Sequence, residues 1–364
     1  HEELTKSFID KKISILARGL KQDMLLETAV SEDNKVLINE QYVGELKGLK
    51  FIIDFNSKNL DADLKSIKKA ARKGVEEELI KRTKQIIKEE SLSINQENKI
   101  IWLNNPIAKI KKGENYLSPE IEIIADEALP LDVKKELEQF TKKWLSSYIN
   151  EILGSLINLT KFKIENQYLR ALSFQLYEDN GVLKRKNVDQ VIKLISKEER
   201  KKLWNMGIKI GRYHIFLPKM LKPKAVILRT MLWKIHNNIS SDVSIPKFGL
   251  NFVINENFNE KFLLLCGFER FKDYFVRVDI LEKLFIIIIE KTIDRKFKIS
   301  SEMMNLLGCS KENFFKLMAL MNYKKSKEVD TYYFAGENKK NDEKIIIKKD
   351  KSNPFSKLLA LNIK

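Results

Sequence analysis

The chain has 364 residues, with 67 Lys and Arg against 50 Asp and Glu and a formal net charge of +17. Hydrophobic residues make up 43% and aromatics 9%, a composition that excludes a disordered polypeptide. Three His and two Cys leave little material for imidazole catalysis, zinc sites or a disulfide framework.

The charge surplus favours polyanionic partners. Only 11 of the basic residues are Arg, and Lys lacks the planar fork that reads base edges, so backbone contact is expected rather than base readout. The longest apolar run, Leu284 to Ile289, falls far short of the ~18–20 residues that span a bilayer. The opening His1-Glu2-Glu3-Leu4 shows no signal pattern and reads as a point within a longer polypeptide. Cys266 and Cys309 sit in apolar helical patterns and read as reduced, buried thiols, which implies a cytoplasm-like compartment.

In chain order, residues 2–29 carry apolar residues near helical spacing. Val36-Leu37-Ile38 and Val43-Gly44-Glu45-Leu46 then suggest a hairpin, followed by a charged helix from Asp61 or Asp63 to about Glu90. The plan recurs. Asp33 to Ile38 aligns with Glu97 to Trp102 at an offset of 64, and the register continues without a gap to Lys47 against Lys111. A second helix is expected from Asp132 to Leu159. Either the hairpin-plus-helix unit is duplicated or two ordinary hairpins resemble one another.

Gln167 to Tyr177 reads as an amphipathic helix stopped at Asn180-Gly181. Short helices follow at 187–195 and 197–205, the second opened by the Ser196/Glu199 capping-box pattern. Pro218 and Pro223 bracket Lys219, Lys222 and Lys224, and a helix runs from there to Ile235. Residues 238–250 form a polar linker. The last third looks paired: Phe262 to Cys266 ends at Gly267-Phe268, and Phe314 to Met321 ends at Asn322-Tyr323, each followed by strand-like residues. Ser301 to Leu307, Gly308-Cys309-Ser310 and a helix from Lys311 outline either a winged helix-turn-helix or a helical hairpin on a small sheet.

The expected fold is therefore helix-dominated α+β: duplicated β-hairpin-plus-helix units over 1–160, a central helical block with a basic, proline-flanked segment over 161–237, a winged-helix-like domain over 251–336, and a charged tail with a short apolar end over 337–364.

No P-loop, GxGxxG, GxSxG or metal-spaced His pair is present, so no catalytic, cofactor or metal residue is assigned. The nucleic-acid-binding candidates are Lys184, Arg185, Lys186, Arg212, Tyr213, His214, Lys219, Lys222, Lys224, Lys311, Lys316, Tyr323, Lys324 and Lys325. Each has a plain alternative. His214 is either a phosphate or stacking contact or a packed histidine, and Lys184-Arg185-Lys186 either a contact loop or a solvated turn. Tyr323, Tyr332 and Tyr333 form either a stacking platform on a wing or alternate strand-core packing. Trp204 and Trp233 read as core.

The segment Leu203-Trp204-Asn205-Met206-Gly207-Ile208-Lys209-Ile210-Gly211-Arg212-Tyr213-His214-Ile215-Phe216-Leu217-Pro218-Lys219-Met220-Leu221-Lys222-Pro223 resembles a block of alphaproteobacterial helicase-related proteins, superfamily 2 ATPases akin to the mitochondrial degradosome RNA helicase. His1 to Thr5, Val43 to Gly48, Ala171 to Leu176 with Gly181-Val182-Leu183, Glu302-Met303-Met304 with Gly308-Cys309-Ser310, and Ser352 to Phe355 resemble further stretches of that family in the same order. The resemblance implies an accessory C-terminal region that holds or guides a single strand of RNA or DNA, or recruits a nuclease or other partner. It also implies that ATP and Mg belong to an upstream helicase core. No membrane partner is expected.

Overall fold

The computed structural model describes residues 28–38, 41–53, 61–161, 166–239, 245–254 and 260–336, a mixed α+β chain of helices and small antiparallel sheets. Residues 2–27 of the helix expected over 2–29 and the tail over 337–364 lie outside the described residues. Two compact units emerge: one of 1–183, 190–209 and 216–245, the other of 184–189, 210–215 and 246–364. The central block of the sequence is thus shared between them.

The first unit begins with strands β1 (Thr28–Val30), β2 (Lys35–Ile38), β3 (Gln41–Lys47) and β4 (Lys50–Ile53), hydrogen-bonded in that order. Residues 28 and 29 are strand and not the end of the expected helix, because Thr28 to Val30 pair with Ile38 to Val36. Helix α1 (Asp61–Glu89) buries Val75, Leu79, Thr83 and Ile86, spaced at three or four residues, the stripe a helix lays on a core. Arg82, 9% exposed, donates to the carbonyl of Gly48 at 3.0 Å and to Glu78 at 3.0 Å, tying the helix to the hairpin turn.

Strands β5 (Ser93–Ile94), β6 (Lys99–Trp102), β7 (Asn105–Asn115) and β8 (Ser118–Ile123) form a second sheet in the same order. Its first three strands pair as those of the first sheet do. Lys35 pairs with Glu45 and Lys99 with Lys109, Ile38 with Gln41 and Trp102 with Asn105, each set 64 residues apart. The register shifts at Val36/Leu37 and again at Ile100/Ile101. Asn34 and Asn98 adopt φ of 63° and 59°, and their carbonyls accept from Leu46 and Ile110 at 2.8 and 3.0 Å. Asn is among the few residues that tolerate the left-handed region, so this residue carries the turn in both sheets.

Helix α2 (Leu131–Lys161) buries Leu137, Thr141, Leu145, Ile149, Leu153, Leu156 and Leu159 along one face. Helix α3 (Gln167–Glu178) is capped by Asn166, whose side chain accepts from the Tyr168 and Leu169 amides. Helix α4 (Asp189–Leu194) is followed by α5 (Lys197–Asn205), with the expected capping box of Ser196 and Glu199. Strands β9 (Val182–Lys184), β10 (Lys209–Ile210) and β11 (His214–Phe216) lie where the chain passes between the units. Helix α6 (Pro223–Asn237) closes the first unit, burying Ala225, Val226, Leu228, Arg229 and Leu232.

The second unit places β12 (Phe252–Ile254), α7 (Glu260–Leu265), β13 (Phe268–Phe271) and β14 (Tyr274–Arg277) in sheet order β12-β14-β13. Helix α8 (Val278–Glu290) follows. Then β15 (Thr292–Ile293), β16 (Lys296–Lys298), α9 (Ser301–Leu307), α10 (Lys311–Leu320), β17 (Tyr323–Lys325) and β18 (Thr331–Phe334) form a sheet ordered β15-β16-β18-β17. Each half of this unit runs through a strand, one or two helices and a hairpin, with the hairpin's second strand against the first strand. Val278 donates to the Gly267 carbonyl and Ala335 to that of Asn322, both at 2.9 Å, closing each hairpin onto the turn before it. The core runs through Leu281, Leu284, Met303, Phe314, Leu317 and Met318, all fully buried.

Candidate nucleic-acid interface

Burial separates the candidates. In the second unit His214 is 1% exposed and lies between two carboxylates. Its Nε2 is 2.9 Å from Glu269 Oε2, and its Nδ1 is 3.6 Å from Glu282 Oε1, an electrostatic contact beyond hydrogen-bond reach. Burial alone would lower its pKa, but the hydrogen bond to Glu269 and the two negative charges outweigh it and raise the value.

Glu282 accepts the backbone N–H groups of Arg212, Tyr213 and His214 at 2.6, 2.8 and 2.8 Å. Gly211 makes this approach possible, since a Cβ there would sit 2.2 Å from the Glu282 carboxyl carbon. Lys184 donates to Glu260 at 2.7 Å and to Glu269 at 2.8 Å. Burial pushes the Glu269 pKa up, but His214 and Lys184 more than offset it and hold the carboxylate below its usual range. Arg185 donates to the Gly211 carbonyl at 2.8 Å and sits 3.5 Å from Asp189.

These side chains therefore brace the 210–215 loop. His214 is the packed, partnered histidine of the plainer reading, out of reach of a strand on the surface, and Lys184 is largely spent on two carboxylates. Tyr213 packs edge-on to Phe285, centroids 5.6 Å apart, and the Arg212 guanidinium lies 5.8 Å over that ring. Lys186 is exposed and has no ion pair among the described residues.

On the β17–β18 hairpin, Tyr323 and Tyr332 are each 5% exposed and belong to the core, while Tyr333 faces out. Both buried rings pack on Phe297, with centroids 5.4 and 6.3 Å away, and a stacking role for Tyr323 is corrected accordingly. Lys311 pairs with Asp330 at 3.0 Å and Lys316 with Glu312 at 2.7 Å. Lys324 and Lys325 are exposed without an ion pair among the described residues.

The first unit keeps its charge open. Lys219, Lys222 and Lys224 are all exposed, and no ion pair among the described residues engages them. Lys222 is the N-cap of α6 and provides no side-chain cap, so the first-turn amides of a 15-residue helix have no side-chain acceptor. Ammonium groups beside uncapped helix amides favour an anion.

Trp204 was missed. The apolar residues around it suggest core, yet it is 64% exposed at the end of α5, with the Lys209 ammonium 5.9 Å over its ring. Lys201 and Lys202 beside it are exposed and likewise unpaired among the described residues. The signal lay in helical phase: Leu203 takes the buried position of this short helix, which turns the next residue outward.

Among the described residues no group of three or more His, Cys, Asp or Glu is placed to hold a metal, and no helix is long and apolar enough to cross a membrane. The chain was compared with family models, curated proteins and solved structures, and none of the three comparisons found a significant match.

Proposed function

We propose that this chain is an accessory nucleic-acid-binding region of an ATP-dependent superfamily 2 helicase and holds or guides a single strand of RNA or DNA. The observation that carries the binding role is the exposed indole of Trp204 among unpaired lysines, since stacking on an aromatic face with backbone neutralisation is how single strands are held without sequence preference. Lys219, Lys222 and Lys224 at the start of α6 supply a second phosphate contact in the same unit. The helicase assignment rests on the sequence resemblance, with ATP and Mg left to the motor core. In finer detail, the two matching sheets are read as an internal duplication at 64 residues. The half of the second unit from α8 to β18 is read as a winged helix, because its hairpin packs through β18 onto β16.

A partner-recruiting role is the second reading, favoured for the second unit alone. The exposed lysines of α10 are neutralised by Glu312 and Asp330, while Ile286, Ile289 and Ile293 are more than half exposed.

The test is the fluorescence anisotropy of dye-labelled random-sequence RNA or DNA strands of about 20 nucleotides titrated with the protein, at several salt concentrations. Binding that weakens steeply with salt and drops roughly tenfold in Trp204→Ala is expected. Absence of binding, or salt-independent binding, overturns the reading.

A further inference from the structure

The four-stranded sheet of the second unit has one covered face and one open face. Phe297 on β16, Tyr332 on β18 and Tyr323 on β17 are buried in the core and mark the covered side. Alternation along each strand then sends the neighbouring residues outward. The register brings those neighbours into line: Ile293 opposes Lys296, Lys296 opposes Tyr333, and Tyr333 opposes Lys324. One outward row thus crosses all four strands, with an aromatic residue between two lysines. Lys298, two residues along β16, shares that face.

Tyr333 is 38% exposed. The other aromatics of the hairpin are engaged, Tyr323 with Phe297 and Phe334, and Tyr332 with Phe297 and Phe315. Tyr333 has no ring, cation or hydroxyl partner among the described residues. A strand side chain stands roughly perpendicular to its sheet, so this ring projects from the surface with nothing stacked on it.

The charge beside it is available too. Lys298 and Lys324 are exposed and have no ion pair among the described residues. Lys296 meets Glu328 at 2.9 Å, with the two side chains 44% and 64% exposed. A pair so open to water is worth little and gives way to a phosphate at small cost. Directly opposed strand residues have Cβ atoms only about 4.5–5.5 Å apart, so both lysines of the row stand within reach of whatever lies on the ring.

We propose that this sheet face is a second contact for a single strand of nucleic acid, with one base stacked on Tyr333 and the flanking phosphates against Lys296, Lys298 and Lys324. An unengaged ring among ammonium groups suits a chain that offers both free base faces and negative charge. A duplex keeps its base faces stacked internally, and an acidic peptide has none to offer. The inference rests on the nucleic-acid reading above, but it concerns the other unit and uses none of the residues that carry that reading.

The test takes the whole chain and a strand of about 20 nucleotides carrying 5-iodouracil, with photo-cross-links mapped by mass spectrometry and affinity measured by anisotropy. Cross-links are expected at Tyr333 and at Trp204. Tyr333→Ala should remove the first, leave the second, and weaken the strand about fivefold or more. Its melting temperature should not change, because the side chain is exposed and unpartnered among the described residues. Tyr333→Phe keeps the ring and should keep the affinity within about twofold. The inference is overturned if the strand cross-links at Trp204 but not at Tyr333, or if Tyr333→Ala leaves affinity unchanged. It is equally overturned if Tyr333→Ala weakens a duplex or polyglutamate as much as the strand. A cross-link at Tyr333 without one at Trp204 upholds the sheet contact and removes the indole from the first reading, whereas a strand that does not bind at all removes both.

Discussion

Nε2 of His214 lies 2.9 Å from Oε2 of Glu269, in a chain segment and a strand separated by 55 positions. This contact makes the second unit sensitive to pH in a defined window. The folded His214 has a pKa above its ordinary 6.5, so its contribution is complete below that value and is lost as pH rises through the raised one. Glu269 is held below its ordinary 4.5, so its contribution is present above that value and is lost as pH falls through the lowered one. The unit is expected to be most stable between these limits. Amide exchange of Phe275 and Leu281, corrected for intrinsic rates, should show protection falling on the alkaline side, and His214→Gln should flatten the fall. Protection that stays constant into alkaline solution contradicts the assignment. Glu269→Gln, which takes from Lys184 and His214 the carboxylate they share, should cost about 3 kcal/mol.

Gly211→Ala tests the carboxylate beneath the 210–215 loop. The new methyl meets Glu282 at 2.2 Å and must displace it from three backbone amides. A loss of about 2–4 kcal/mol is expected, confined to the second unit, since each buried amide left unpaired costs ~1–3 kcal/mol. A variant of unchanged stability would show that the loop holds itself.

Replacing Lys219, Lys222 and Lys224 by Gln should lower the slope of log affinity against log salt by about 0.7 per phosphate contact removed. Stability should stay within about 0.5 kcal/mol because all three side chains are exposed and unpaired among the described residues. An unchanged slope would place the strand elsewhere.

Cys309 has its thiol pKa pushed up to about 11 by burial. It should alkylate slowly near neutral pH and faster as pH climbs towards that value, since the thiolate is the nucleophile. Fast labelling of Cys309 at neutral pH by iodoacetamide, read by mass spectrometry, would contradict this environment.

Much of the fold was legible because local rules carried it. The bounds of α5 follow from Ser196 and Glu199, and the 64-residue correspondence follows from Asn34 and Asn98 holding equivalent turns. Strand β8 alternates cleanly from Pro119 to Ile123, but its pairing with β7 is not local in pattern, because β7 runs on to Asn115, past the apolar residues that mark the first hairpin. Helix α8 was missed because its run of isoleucines has no helix-specific period. The site was harder to read. Nothing local marks Glu282 as the acceptor for amides 68 to 70 positions earlier, and the exposure of Trp204 depends on which face of a short helix is covered.

The second unit is discontinuous along the chain, taking in 184–189 and 210–215 as well as everything from 246 onward. Cutting at the polar linker therefore does not yield a self-sufficient domain. A fragment starting at residue 246 retains Glu282 and Glu269 but forfeits the amides, imidazole and ammonium that neutralise them. Dissection guided by linkers should deliver a poorly folded piece, rescued only when the two upstream loops are supplied with it.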